Sequence, residues 1–132
     1  MVAFAPVKHA IDIFLQIKGE VGGDEELGSD VRARAREVPE LMESCGLIPA
    51  LSFCYAKAKE EGRGRSYKLY LKAVLTYLKE IGLMESDVDD ALNNPAETLN
   101  ELYSKAFIAL PLLRPFLVEF KRLCEATWES KR

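Results

Sequence analysis

The sequence predicts an all-α protein, a compact bundle of about six helices built as a single helical domain over residues 1–132. Three observations support this. Apolar residues recur at intervals of three and four along most of the chain. Glycine and proline mostly punctuate these periodic stretches. No segment reads as a strand, and neither a repeat nor a low-complexity tract interrupts the pattern.

The first helix follows from Val7, Ala10, Ile11, Phe14 and Leu15, which share a face opposite Lys8, Asp12 and Gln16. Residues 19–29, with Gly22, Gly23, Gly28 and five acids over 20–30, predict a mobile acidic loop. A second helix is expected after Ser29 or Asp30, both good N-caps. Its apolar positions are Val31, Ala35, Val38, Met42 and Cys45, with a kink or split at Pro39 and a stop at Gly46. The third helix, 47–61, buries Leu47, Ala50, Leu51, Cys54 and Ala58, and tolerates Pro49 in its first turn.

A basic connector, Gly62-Arg63-Gly64-Arg65, leads to a fourth helix over 66–81 that buries Tyr67, Tyr70, Leu71, Val74, Leu78 and Ile81. Ser86 is placed to cap a short acidic helix reaching Leu92. Pro95 opens the next helix, which buries Leu99, Leu102, Tyr103, Ala106 and Leu110 until Pro111 and Pro115 break it. A last helix carries Phe116, Phe120, Leu123, Cys124 and Trp128.

Composition excludes several classes of function. The longest uncharged run, 44–56, has 13 residues, whereas a membrane span needs about 20. Lys8, His9 and Asp12 interrupt Met1–Gln16, so that stretch does not read as a signal peptide, and a cytoplasmic protein is expected. The three cysteines, Cys45, Cys54 and Cys124, have no C-x-x-C spacing and read as small core residues. The single histidine, His9, has no local catalytic partner. No phosphate loop, dinucleotide fingerprint or nucleophile elbow is present. The acids Asp87, Asp89 and Asp90 fit the first turn of a helix better than a calcium loop, because Pro95 stands where such a loop from Asp90 needs glycine. No catalytic residue, metal site or cofactor is expected.

Charge distribution is more informative than the net −3. Residues 80–101 carry seven acids and no base, whereas residues 57–79 carry a local +5. Arg65, Lys68, Lys72, Thr76 and Lys79 are spaced to share one helix face. That stripe is about 21 Å long at 1.5 Å per residue. Arg63 extends it into the connector, and Lys57 and Lys59 precede it. The stripe suits phosphate contact, and equally a solvated helix face. Arg32, Arg34 and Arg36 form a second cluster, in which Arg36 is spaced to pair with Glu40.

The run Arg34 to Met42, then Cys45-Gly46-Leu47, then Leu51-Ser52-Phe53 and Lys57, resembles the small helical fifth subunit of type III-B CRISPR Cmr RNA-silencing complexes. The stretch Phe116 to Arg122 resembles that family's last helix. The resemblance implies an all-α subunit without nuclease activity, copies of which stack beside the guide-RNA filament. Their basic faces then line the channel for the guide–target RNA duplex. By position, Arg34, Arg36, Lys57, Lys121 and Arg122 take the family's basic places. The expected partners are therefore other subunits of the effector, copies of this chain, and guide and target RNA held through phosphates, with no membrane. Base pairing would supply specificity, and several copies would multiply a weak single contact. The competing expectations are a helical adaptor that joins proteins and touches no nucleic acid, and a small subunit of another CRISPR effector class.

Overall fold

The computed structural model describes residues 5–131. The start of Met1–Gln16 and the end at Arg132 lie outside the described residues. Among the described residues there are seven helices: α1 (Pro6–Val21), α2 (Glu25–Cys45), α3 (Leu47–Ala58), α4 (Gly64–Glu80), α5 (Val88–Asn93), α6 (Pro95–Tyr103) and α7 (Ala106–Thr127). None is long and apolar enough to cross a membrane.

The bundle is organised around α4, which packs against α1, α2, α3, α5 and α7. Its periodic apolar residues continue almost all the way round, so Tyr67, Leu69, Tyr70, Leu71, Ala73, Val74, Leu75, Tyr77 and Leu78 are all buried. Aromatic rings tie it to α7: Tyr77 stacks on Phe116 at 4.3 Å and 12°, and Tyr70 meets Phe120 edge-on at 5.8 Å. These pairs set α4 antiparallel to α7. His9 against Tyr77, and Arg65 against the Glu20 carbonyl, likewise make α1 antiparallel to α4. Helix α2 runs antiparallel to α7, from Gly28 beside Trp128 to Glu43 beside Arg114.

The acidic 19–29 segment is not a loop. Gly22, at φ +63°, ends α1, and α2 begins almost at once, with the Asp24 side chain accepting the Leu27 N–H at 3.0 Å. Glu25 and Glu26 occupy the first turn, where the helix dipole favours them. Gly28 and Ser29 therefore lie inside a helix. Gly28 is required there by packing, since a Cβ would stand 2.3 Å from the Trp128 ring. The segment after α7 is strapped across this end. The Ser29 hydroxyl donates to the Glu129 carbonyl at 2.6 Å, and Arg32 donates to the carbonyls of Glu125 and Trp128. Lys131 pairs with Asp30 at 2.7 Å.

Other expectations change for similar reasons. Pro39, Pro111 and Pro115 lie within continuous helices, and Pro111 and Pro115 are on the solvent side, where water can serve the freed carbonyls. The break falls instead at Ser104-Lys105, where the Lys105 ammonium reaches the Leu83 carbonyl at 3.0 Å, and Tyr103 is left exposed. In α1 the inward face is Ala10, Ile13, Phe14, Ile17 and Val21, so Val7, Ile11 and Leu15 face solvent. Cys45 is exposed, while Cys54 and Cys124 are core residues as expected. Asp87, not Ser86, caps α5, accepting from the N–H groups of Asp89 and Asp90. Ser86 instead donates to Glu101 at 2.6 Å, and the Glu85 N–H donates to the same carboxylate at 2.7 Å.

Two tests follow. Gly28→Ala must displace the buried indole and should cost about 1–3 kcal/mol in urea unfolding, whereas Gly23→Ala, in open space, should change stability by less than about 1 kcal/mol. Burial pushes the Glu101 carboxyl up, but its bonds from Ser86 and Glu85 outweigh this and hold it below the usual range. The stability from those bonds is present above the unfolded carboxylate pKa and is lost as pH falls through the lower folded value. Glu101→Gln should therefore destabilise most above about pH 5, with the difference disappearing in acid, as read from unfolding curves at successive pH.

Candidate nucleic-acid interface

Because α4 is enclosed on its other sides, its solvent face is a narrow strip that carries Arg65, Lys68, Lys72, Thr76 and Lys79, with the exposed acid Glu80 at its end. The strip is a row, as the spacing predicts, but its members are not equally free. Lys68 is exposed and makes no ion pair among the described residues. Arg65 is exposed and donates to the Glu20 carbonyl at 3.2 Å, which leaves its charge uncompensated by that bond. Lys72 is pinned to the Glu20 carboxylate at 3.0 Å. Lys79 bends back to the carbonyls of Glu85 and Ser86, at 2.9 and 3.1 Å, and fastens the chain after α4.

At the head of the strip Arg63 is exposed in the turn before α4, and it lines a shallow depression with Arg65 and Lys131. Acids share this depression: Asp24, Glu26 and Asp30 lie on its α2 side. Farther along, Arg65, Lys68 and Lys72 line a groove closed by Glu20 and Asp89. Lys59 joins Lys68 at a third hollow beside α5. The cationic band therefore runs from Arg63 to Lys72, about 13 Å at 1.5 Å per residue, with acidic flanks.

The arginine cluster of α2 divides. Arg34 is turned inward and only 5% exposed. Its guanidinium lies 4.4 Å from the Tyr67 ring centroid, pairs with Glu37 at 3.2 Å and reaches Ser66 at 3.4 Å. The Tyr67 hydroxyl donates to the same Glu37 at 2.7 Å. Arg34 is thus a clamp between α2 and the first turn of α4, out of reach of an external phosphate. Arg32 caps the end of α7, as described. Arg36 is exposed and pairs loosely with Glu125 of α7 at 3.8 Å rather than with Glu40.

Lys57 pairs with Glu60 at 3.2 Å and stands 5.6 Å from the Phe53 ring centroid, at the far end of α3. Arg122 is exposed and pairs with Glu119 at 3.7 Å. Lys121 and Arg36 come together in a groove between α2 and α7, which also holds Arg114. Arg114 grips Glu43 through two bonds, at 2.6 and 3.2 Å. Sequence reasoning missed it because its partner is 71 residues away and neither residue belongs to a charge run.

The reactive groups offer little chemistry. Burial, and then the nearby Glu37, pushes the Cys54 thiol up to about 12, and burial raises Cys124 as well, so both stay protonated at neutral pH. Among the described residues no three His, Cys, Asp or Glu side chains gather as metal ligands would.

Fold and surface together define a small all-α protein with charged grooves and an exposed apolar corner. The sequence pattern of the family described as CRISPR-associated protein (Cas_Cmr5) matches residues 6–111, and the chain belongs to that family. A curated relative, the CRISPR system CMR subunit Cmr5 of Saccharolobus solfataricus, is 26% identical over 94% of both chains. The fold matches a chain in the cryo-EM structure of the type III-B Cmr-β complex bound to non-cognate target RNA, with a TM-score of 0.83 at 22% identity over 96% of this chain and 98% of that one. It also matches a chain of the Cmr-β complex bound to cognate target RNA and AMPPnP, with a TM-score of 0.85 at 24% identity over 96% and 97%.

Removing the clamp should be felt as stability. Arg34→Ala is expected to cost about 2–4 kcal/mol in chemical denaturation, since it strips a buried cation from Glu37 and Tyr67. Lys68→Ala should stay within about 0.5 kcal/mol.

Proposed function

We propose that this protein is a non-catalytic small subunit of a type III-B CRISPR effector, in which copies stack and hold the guide–target RNA by its backbone. One observation carries the RNA contact: the strip of the central helix left to solvent is cationic, and its freest charges are Arg63, Arg65 and Lys68. Support for the setting comes from the relatives, one named as a CMR subunit and two matching chains drawn from complexes bound to target RNA.

These three cations span about 8 Å of helix rise, enough to meet neighbouring phosphates without regard to base identity. Specificity then rests on base pairing with the guide. Glu20 moderates the band by occupying Lys72, and the flanking acids disfavour loose binding of stray polyanions by a single copy. Stacked copies restore affinity because each added band raises the effective concentration of the next. Arg34 and Lys79 support the frame of the site, and Lys57 and Arg122 pair within their own neighbourhoods, with Glu60 and Glu119.

A second reading, an adaptor that meets only proteins, has the exposed apolar corner of Tyr103, Phe107 and Ile108 in its favour. The combined Arg63→Ala, Arg65→Ala and Lys68→Ala variant separates the two. In the assembled effector it should weaken binding of every target RNA alike. The slope of log affinity against log salt should fall by about one for each phosphate that is no longer neutralised. Unchanged affinity and slope, with the variant incorporated normally, would favour the adaptor.

A further inference from the structure

The stretches 34–42 and 116–122, far apart in sequence, face each other across the groove between α2 and α7. We infer that this groove is a protein-docking site, filled by a helix of a neighbouring effector subunit that presents a carboxylate beside aliphatic side chains. The inference rests on the reading of this chain as an effector subunit.

The groove encloses about 260 Å³. Its floor is apolar, formed by Pro39, Leu117 and Val118, and Val118 remains 44% exposed. Pro39, inside α2, forgoes the backbone bond to the Ala35 carbonyl. Its ring lies at the surface, in the groove. Arg36 and Lys121 mark one end. Glu125, one turn beyond Lys121, holds Arg36 there only loosely, at 3.8 Å, and Lys121 has no ion pair among the described residues. The Arg114–Glu43 pair closes the other end and neutralises itself. From Arg36 to Glu43 the groove is about 10 Å long, two helical turns of an occupant.

This layout suits a mixed acidic and aliphatic surface better than RNA. A nucleic-acid backbone would lie against Glu40 and Glu43 and gain nothing from the Pro39, Leu117 and Val118 floor. No aromatic side chain lines the groove for base stacking. A carboxylate seated between Arg36 and Lys121, with aliphatic groups over the floor, satisfies both halves of the site.

The test uses the chain co-expressed with the other subunits of its effector and compares Arg36→Glu combined with Lys121→Glu, and separately Val118→Asp, with the wild type. All three sites are at the surface, and unchanged thermal unfolding of the isolated variants confirms the fold. The expected result is a loss of about tenfold or more in incorporation into the purified complex, with the sedimentation of the isolated chain unaltered. Normal incorporation with weakened RNA binding would overturn the proposal and make the groove an RNA contact. Loss of self-association by the isolated chain would overturn it in favour of a second copy. No effect in any assay would also overturn it. The α4 variants read RNA affinity and these read incorporation, so failure of one proposal does not mimic failure of the other.

Discussion

The enclosure of α4 is the constraint on which the rest of the molecule depends. A helix surrounded by α1, α2, α3, α5 and α7 must send its charged residues through the one gap in the packing, while the buried Ser66 is satisfied inside by Arg63 and Arg34. The Tyr77–Phe116 and Tyr70–Phe120 contacts fix its rotation about its own axis. That rotation decides which residues reach water. Had the helix turned by a third of a revolution, the same lysines would be buried, at a cost no fold of this size could bear. The position of the charges is therefore a by-product of aromatic packing on the opposite side.

Internal bonding separates the cations held within the fold from those left free. Arg34, Arg32, Lys79 and Lys105 have their hydrogen bonds met inside the molecule and act as clamps and caps. Arg63, Lys68 and Lys121 have no such obligation among the described residues. Arg63 and Lys68 lie along the α4 strip, and Lys121 lies in the groove between α2 and α7. One face is a band edged with acids, and the other a groove with an apolar floor.

Helix identity was legible in the sequence because the periodicity of α3 and α4 is strong and Gly46 and Gly82 mark real ends. Boundaries set by side-chain packing were not. Gly28 reads as a loop residue until Trp128, a hundred residues later, is seen to need the space. Pro111 and Pro115 read as breakers until the helix proves to turn them toward water. The α4 strip was visible, since spacing alone defines a face. The inward side of Arg34 follows from its spacing, three residues after Val31 and four before Val38, but its partners Glu37, Ser66 and Tyr67 appear only once α4 packs on α2. The groove between α2 and α7 needed the fold itself, because its two walls meet only after antiparallel docking.

The strap across the α2 end has a practical corollary. Trp128 is the only tryptophan in the chain, and it is buried by packing against Gly28 and Phe14. Its emission therefore reports on a single event, the seating of the final segment. A red-shifted spectrum at unchanged helical content would mark molecules whose tail has come loose while the bundle persists. The protein thus carries its own optical gauge of a local opening that circular dichroism would miss.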